Sequence, residues 1–182
     1  MVTCCICTPC LELTVYDGEE AFHALRPEWN PLLHRSGYDT LFMTWEFQST
    51  WWQHHGEGRA YVLTFRRSQE LVGIAPLYVV EVDGKQHVRF VGGTEVADYL
   101  DFIVAPGYET SVIRQALDWL CGPEAPSWDM LELVNVPEEG IAYRHLPGIL
   151  SSLGWEVHIQ PPHGEPMRRA GHEQPPHTVG RL

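Results

Sequence analysis

Positive charge is scarce in this sequence: 12 Lys and Arg residues stand against 24 Asp and Glu, a formal net charge of -12. The basic residues form no run, and the densest groupings are the pairs Arg66-Arg67 and Arg168-Arg169. Binding a phosphate polyanion or an anionic bilayer needs clustered cations, so neither nucleic acid nor a charged membrane surface is expected as a partner. Long apolar runs are missing too, and nothing approaches the roughly 18 residues that a membrane-spanning helix requires. The first residues, MVTCCICTPC, lack the preceding positive charge and small-residue cleavage site of a leader, which makes the cytoplasm the expected location. No Gly-rich dinucleotide fingerprint, GK[ST] phosphate loop, GxSxG elbow or HExxH pair occurs, so dehydrogenase, kinase, hydrolase and zinc-protease chemistry have no support.

Cysteine is nearly confined to one place. Four of the five (Cys4, Cys5, Cys7 and Cys10) crowd the first ten residues, and Cys121 stands alone at the end of a helical stretch. Zinc sites usually pair two separated ligand couples, and the second couple is missing here. Residues 1–10 therefore read as a Cys-rich tail and no metal site is assigned. A metal-handling protein built on that tail and the C-terminal histidines is the third-ranked reading. At the other end, residues 161–182 are rich in Pro and His, with almost nothing to bury, and read as disordered.

What remains, residues 11–160, has the composition of one globular domain. A chain of 182 residues that is 44% hydrophobic is long enough to bury a substantial core. LELTVYD (11–17) alternates as a strand. Residues 17–37 follow as helix, with Asp17 as N-cap, and Pro27 and Pro31 should divide it into two pieces. TWEFQSTWWQHHGEG (44–58) reads as an amphipathic helix capped by Thr44, closed by Gly56 and faced by Trp45, Phe47, Trp51 and Trp52. Gln48 and His55 fall inside its apolar arc, where a polar group needs a partner; they are either a satisfied core pair or substrate contacts. Strands are expected at 60–67, 70–83, 86–92 and 99–105, with Asp83-Gly84 as a hairpin turn. Pro76 requires its strand to be locally an edge or bulged. A helix at 108–122, a strand at 128–135, a broken helix at 137–154 and a strand at 155–160 complete the domain.

The predicted order is β-α-α-β-β-β-α-β-α-β, an α/β (α+β) domain with a mixed, mostly antiparallel twisted sheet and helices on both faces. The phrases FQSTWWQHHGEG, ELVGIAPLYVV, VRFVGGTEVADYLDFIVAPG and WDMLELVNVPEE resemble the first half of the GNAT-type N-acetyltransferases of the CelD-like group, relatives of the FemABX aminoacyltransferases. That resemblance implies transfer of an acyl group from acetyl-CoA to an amine on a small molecule, glycan or peptide. It further implies that this chain is the amino-terminal, acceptor-facing half of a two-half enzyme, partnered by a second GNAT-like half. The family's pyrophosphate loop would fall at VAPGYET (104–110). Gly107 fits it, but Val104 replaces the usual Arg or Gln, and Glu109 replaces a small residue and would repel an anion.

Candidate site residues follow from both lines. The loop Gly92-Gly93-Thr94 can approach a ligand closely, or simply turn. Asp98 can cap or bind. Tyr99 and Asp101 share one face of the expected strand, and Asp101 is the first choice for a general base or a polar substrate contact, against a plain salt bridge or solvated position. Asn135 ends a strand where the resemblance places ligand contacts, or serves as a turn residue. The second-ranked reading, a non-catalytic binding or assembly module on the same fold, rests on Val104 and Glu109.

Overall fold

The protein was analysed as a computed structural model, which describes residues 11–93 and 95–159 and the backbone of 178–180. The Cys-rich residues 1–10 and Thr94 lie outside the described residues. So does most of the stretch read as a disordered tail, but its residues Thr178–Gly180 form a short strand.

The strands are β1 (Glu12–Asp17), β2 (Arg59–Arg67), β3 (Glu70–Val82), β4 (Lys85–Phe90), β5 (Ile103–Val104), β6 (Met130–Leu131), β7 (Glu156–His158) and β8 (Thr178–Gly180). The helices are α1 (Glu20–Arg35), α2 (Trp45–His55), α3 (Glu109–Leu120) and α4 (Ile141–Ser152), with a short 3-10 turn at Leu41–Met43. The expected mixed sheet with flanking helices is present. Its order is β1-β2-β3-β4-β6-β8-β7, and β5 pairs separately with β3. Strands β1 to β5 pair antiparallel, whereas β4–β6, β6–β8 and β7–β8 are parallel.

Side-chain alternation along β2 sets the two layers. Tyr61 meets Trp119 of α3 at a ring distance of 5.7 Å, and Arg67 donates to the Tyr108 hydroxyl at the start of α3. Arg66, one residue along, points to the opposite face and forms a paired hydrogen bond with Glu28 of α1. Helix α3 thus covers the odd-numbered face of β2, and α1 covers the even-numbered one. Tyr78, paired with Ala60, lies on the α1 face, where Trp51 and Trp52 of α2 pack against it with tilted rings at 5.6 and 5.9 Å. Both hairpin turns use two consecutive residues with positive φ, Ser68-Gln69 (47° and 73°) and Asp83-Gly84 (52° and 77°), the twist that matches right-handed strands.

Strand β3 is central, yet Pro76 is tolerated in it. The carbonyl of Pro76 accepts from Val91 N–H at 2.8 Å, so its missing N–H would point to that same side. There β4 ends at Leu77↔Phe90 and β5 begins at Ile74↔Ile103. The chain between, residues 91–102, leaves the sheet at this point. β3 is therefore locally an edge at Pro76, as its sequence required. The expected strand at 99–105 shrinks to Ile103–Val104, because the residues before it belong to this excursion.

Two helix expectations are corrected. Asp17 does not cap α1: it lies in β1 and pairs with Arg59. Nor do Pro27 and Pro31 divide the helix, which runs unbroken from Glu20 to Arg35. Both prolines are exposed and one turn apart, and the carbonyl that Pro27 leaves unpaired belongs to exposed His23, within reach of water. The other face buries Phe22, Leu25, Trp29, Leu32 and Leu33, and Trp29 Nε1 donates to the Met43 carbonyl at 2.9 Å. That packing holds the helix together despite the prolines. Pro27→Ala should restore a helical hydrogen bond and stabilise the protein by about 1–3 kcal/mol in urea unfolding. A loss of stability would mean that the proline geometry itself is required.

Candidate functional site

The excursion 91–102 brings most of the expected site residues together. Gly92 (φ 126°) and Gly93 (φ 81°) press against α2: a Cβ on Gly93 would lie 2.5 Å from Trp51 Nε1, and one on Gly92 would meet Leu100 at 2.5 Å and Gln48 Nε2 at 3.1 Å. These two glycines are close-approach positions. Gln48 is fully buried; its Nε2 donates to the Phe42 carbonyl at 2.8 Å, and its Oε1 has no partner among the described residues. Tyr99 is 45% exposed and ends in an aromatic cluster with Tyr38 and Phe42, at ring distances of 6.1 and 6.2 Å. Asp98 is exposed. Asn135, at φ 58°, clamps the excursion from outside: its Nδ2 donates to the Ala97 carbonyl at 2.6 Å, and its own carbonyl accepts from Leu100 N–H at 2.9 Å.

His55 does not join this group. It is exposed at the C-terminal end of α2, with its ring 6.5 Å from Trp51. The tryptophans of α2 are only half-buried, and Gln48 is the helix residue that is fully enclosed. Thr44 caps the helix as expected, accepting from Phe47 N–H at 3.3 Å. Between α1 and α2 opens a groove of about 190 Å³, walled by Phe22, Trp45 and Trp52 and rimmed by Glu19, His23 and Gln53.

Asp101 does not face a cleft from a strand. It is 1% exposed and precedes β5. Its carboxylate accepts from the backbone N–H groups of Ile141 (2.5 Å) and Ala142 (2.9 Å) in the first turn of α4, and from Phe102 N–H (2.8 Å). Helix N-termini leave such donors without intrahelical partners, and Asp101 supplies the cap from a distant part of the chain. Its own N–H donates to Met43 Sδ at 3.3 Å. Burial pushes the carboxyl up to about 6, against the three backbone donors and Arg144, which pull it down.

At the start of α3, Gly107 has φ 89°, and its N–H donates to Glu109 Oε2 at 2.9 Å. The amide that a pyrophosphate would use already holds a carboxylate. With Val104 buried in β5 in place of a cation, residues 104–110 do not fit the acetyl-CoA pyrophosphate.

The sequence reading missed a second polar group, on the α2 side of the sheet. His87 Nδ1 lies 2.8 Å from Glu132 Oε2, and Arg89 donates to the same oxygen from Nε (2.9 Å) and Nη2 (2.5 Å). Arg89 also sits opposite Tyr78 across the β3–β4 ladder. His87 and Glu132 are 8% and 7% exposed. Burial pushes the Glu132 carboxyl up, but bonding from His87 and Arg89 outweighs it and holds the group below the usual range. These residues line the β4/β6 junction, where the antiparallel half of the sheet meets the parallel half. The available signal was Glu132, a lone acid between Leu131 and Leu133, facing His87 and Arg89 at strand spacing.

No family model matches this chain, and no curated protein matches it. Among solved structures, a ribosomal-protein-alanine N-acetyltransferase from Brucella melitensis biovar Abortus 2308 overlaps it at TM-score 0.46 and 15% identity, over 89% of this chain and 100% of that one. An aminoglycoside acetyltransferase from an uncultured soil metagenomic sample overlaps at TM-score 0.39 in complex with sisomicin and 0.38 in complex with trehalose. Both of those overlaps have 13% identity and cover 89% of this chain and 96% of that one. All three are loose overlaps.

The two buried carboxylates give opposite pH dependences. Asp101 binds its proton more tightly folded than unfolded, so its contribution is full below pH 3.8 and is lost as pH rises through about 6. Glu132 is depressed, so its contribution is present above 4.5 and lost as pH falls through its folded value. Urea unfolding across pH 3–8 should show the decline between pH 4 and 6 flattened in Asp101→Asn, and the acid-side loss flattened in Glu132→Gln. Asp101→Ala, which strands three backbone donors, should cost about 2–4 kcal/mol at pH 7.

Proposed function

We propose that this chain is the acceptor-facing domain of a GNAT-type, CelD-like acyltransferase that acts in the cytoplasm. It holds an amine on a small molecule, glycan or peptide, and a second GNAT-like half brings acetyl-CoA. The β4/β6 junction carries the reading. Between an antiparallel and a parallel half-sheet, it gathers His87, Arg89 and Glu132 beside the aromatic wall of α2, which suits a polar, cationic substrate held against rings. The glycine loop and Tyr99 are the proposed acceptor contacts on the neighbouring surface, and Gln48, buried beneath Gly92, supports that loop from inside. Asp101 enters this reading as the residue that positions the excursion, not as the base.

The donor side is assigned elsewhere because Glu109 occupies the Gly107 amide. The same contact favours a second reading, in which the fold has become a non-catalytic binding module. A thermal-melt series separates them. Under the first reading, glucosamine, putrescine or a peptide with a free α-amine raises Tm, and the N-acetylated form does not. At a hundred times the dissociation constant a ligand adds about 2.7 kcal/mol, a rise of roughly 5–10 °C. If no amine raises Tm, the acceptor-facing reading falls and the binding module stands.

The donor side has its own expected result. Acetyl-CoA, with adenosine diphosphate as control, should leave Tm of the unaltered chain unchanged. Glu109→Ala, which releases the Gly107 amide and removes the repelling charge, should let acetyl-CoA raise it. A rise in the unaltered chain would place the donor site here and overturn the division between halves.

A further inference from the structure

We propose that His87, oriented by Glu132, is the proton acceptor for the bound ammonium group; this rests on the acceptor-facing reading above. An ionised carboxylate only accepts hydrogen bonds, so the hydrogen in the 2.8 Å contact belongs to His87 Nδ1. In the neutral ring that leaves the lone pair on Nε2, and Nε2 has no hydrogen-bond partner among the described residues. A base whose second nitrogen is fixed by a carboxylate is the arrangement that general-base catalysis requires.

The groups facing His87 divide the work. Glu132, from the strand end beyond β6, fixes the tautomer and would stabilise the imidazolium once formed. Arg89, on the same face of β4, keeps Glu132 ionised, so the carboxylate accepts from the ring without taking its proton. Tyr78 on β3 faces Arg89 across the ladder, and the charge of Glu57, beyond the end of α2, reaches Tyr78 as well. The proton step balances within the complex: the ammonium N–H bond breaks, the proton joins Nε2, and the nitrogen keeps the electron pair as a neutral amine. A neutral amine is a nucleophile and an ammonium is not, so this is the step an acceptor-binding half must supply.

The test uses the full chain labelled with 15N-histidine, observed by long-range 1H–15N correlation from pH 5 to 9, with His87 assigned by its loss in His87→Gln. The expected result is a ring whose neutral form carries its hydrogen on Nδ1, with the Nε2 resonance shifting when an amine that raises Tm is added and donates a hydrogen bond to that lone pair. Glu132→Gln, whose amide can donate as well as accept, should erase the tautomer preference and the response to amine without unfolding the chain. An Nε2-protonated ring, or His87 signals unmoved by an amine that does raise Tm, would overturn the assignment while leaving the acceptor-facing reading intact. If no amine in the panel raises Tm, that reading fails and takes this inference with it. A purely structural ion pair would hold the tautomer but would not respond to the amine.

Discussion

The hold of one buried carboxylate on a distant helix organises the part of the molecule where the chain leaves its sheet. Asp101 accepts from two backbone amides at the start of α4 and from Phe102, while its own amide reaches Met43 in the turn before α2. It thereby joins the excursion 91–102 to both helical layers. Gly140 makes the approach possible, because a Cβ there would come within 2.6 Å of Asp101 Oδ2. Leu100 and Ala97, tied to Asn135, close the same region from the other side. With these bonds in place, Phe102 packs edge-on to Phe90 at 5.1 Å, and β5 rejoins β3 in register.

Much of this architecture was legible in the sequence because its signals are local. The Asp83-Gly84 turn, the Thr44 cap and the consequence of Pro76 each depend on a few neighbouring residues. What was not legible depended on distance. Pro27 and Pro31 looked like breaks because their local cost was visible, whereas the burial of Trp29 and Leu33 that offsets it comes from other parts of the chain. Asp101 looked like one member of an alternating strand, and nothing nearby in the sequence reveals α4 arriving 40 residues later to receive its cap. The excursion was misread for the same reason: a strand-like sequence became a crossing segment because Asn135 and Gly140 hold it off the sheet.

Which residues would lie near one another was easier to read than what any of them does. Gly92, Gly93, Gln48, Tyr99 and Asn135 do converge, since glycines that permit close approach and a polar residue on an aromatic helix face both constrain what must lie opposite. His55 failed because a helical projection assigns a direction without saying where the neighbouring layer stops. His87, Arg89 and Glu132 come from two strands more than 40 residues apart, and a periodicity read along one strand at a time does not connect them.

The contrast between Asp101 and Glu132 shows what each buried acid is built to do. Asp101 accepts three backbone N–H bonds, yet burial still pushes its carboxyl up to about 6, because neutral donors do not replace the hydration lost. Glu132 is also buried, but a guanidinium and an imidazole share its Oε2, and charge-assisted bonding outweighs the burial. A cap can tolerate partial protonation, since its task is to occupy backbone donors. A group that must hold a neighbouring ring in one tautomer cannot, because a protonated carboxyl could donate to the ring as readily as accept from it. Arg89 is the difference between the two sites, so the chemistry proposed for His87 depends on a residue with no need to touch the substrate.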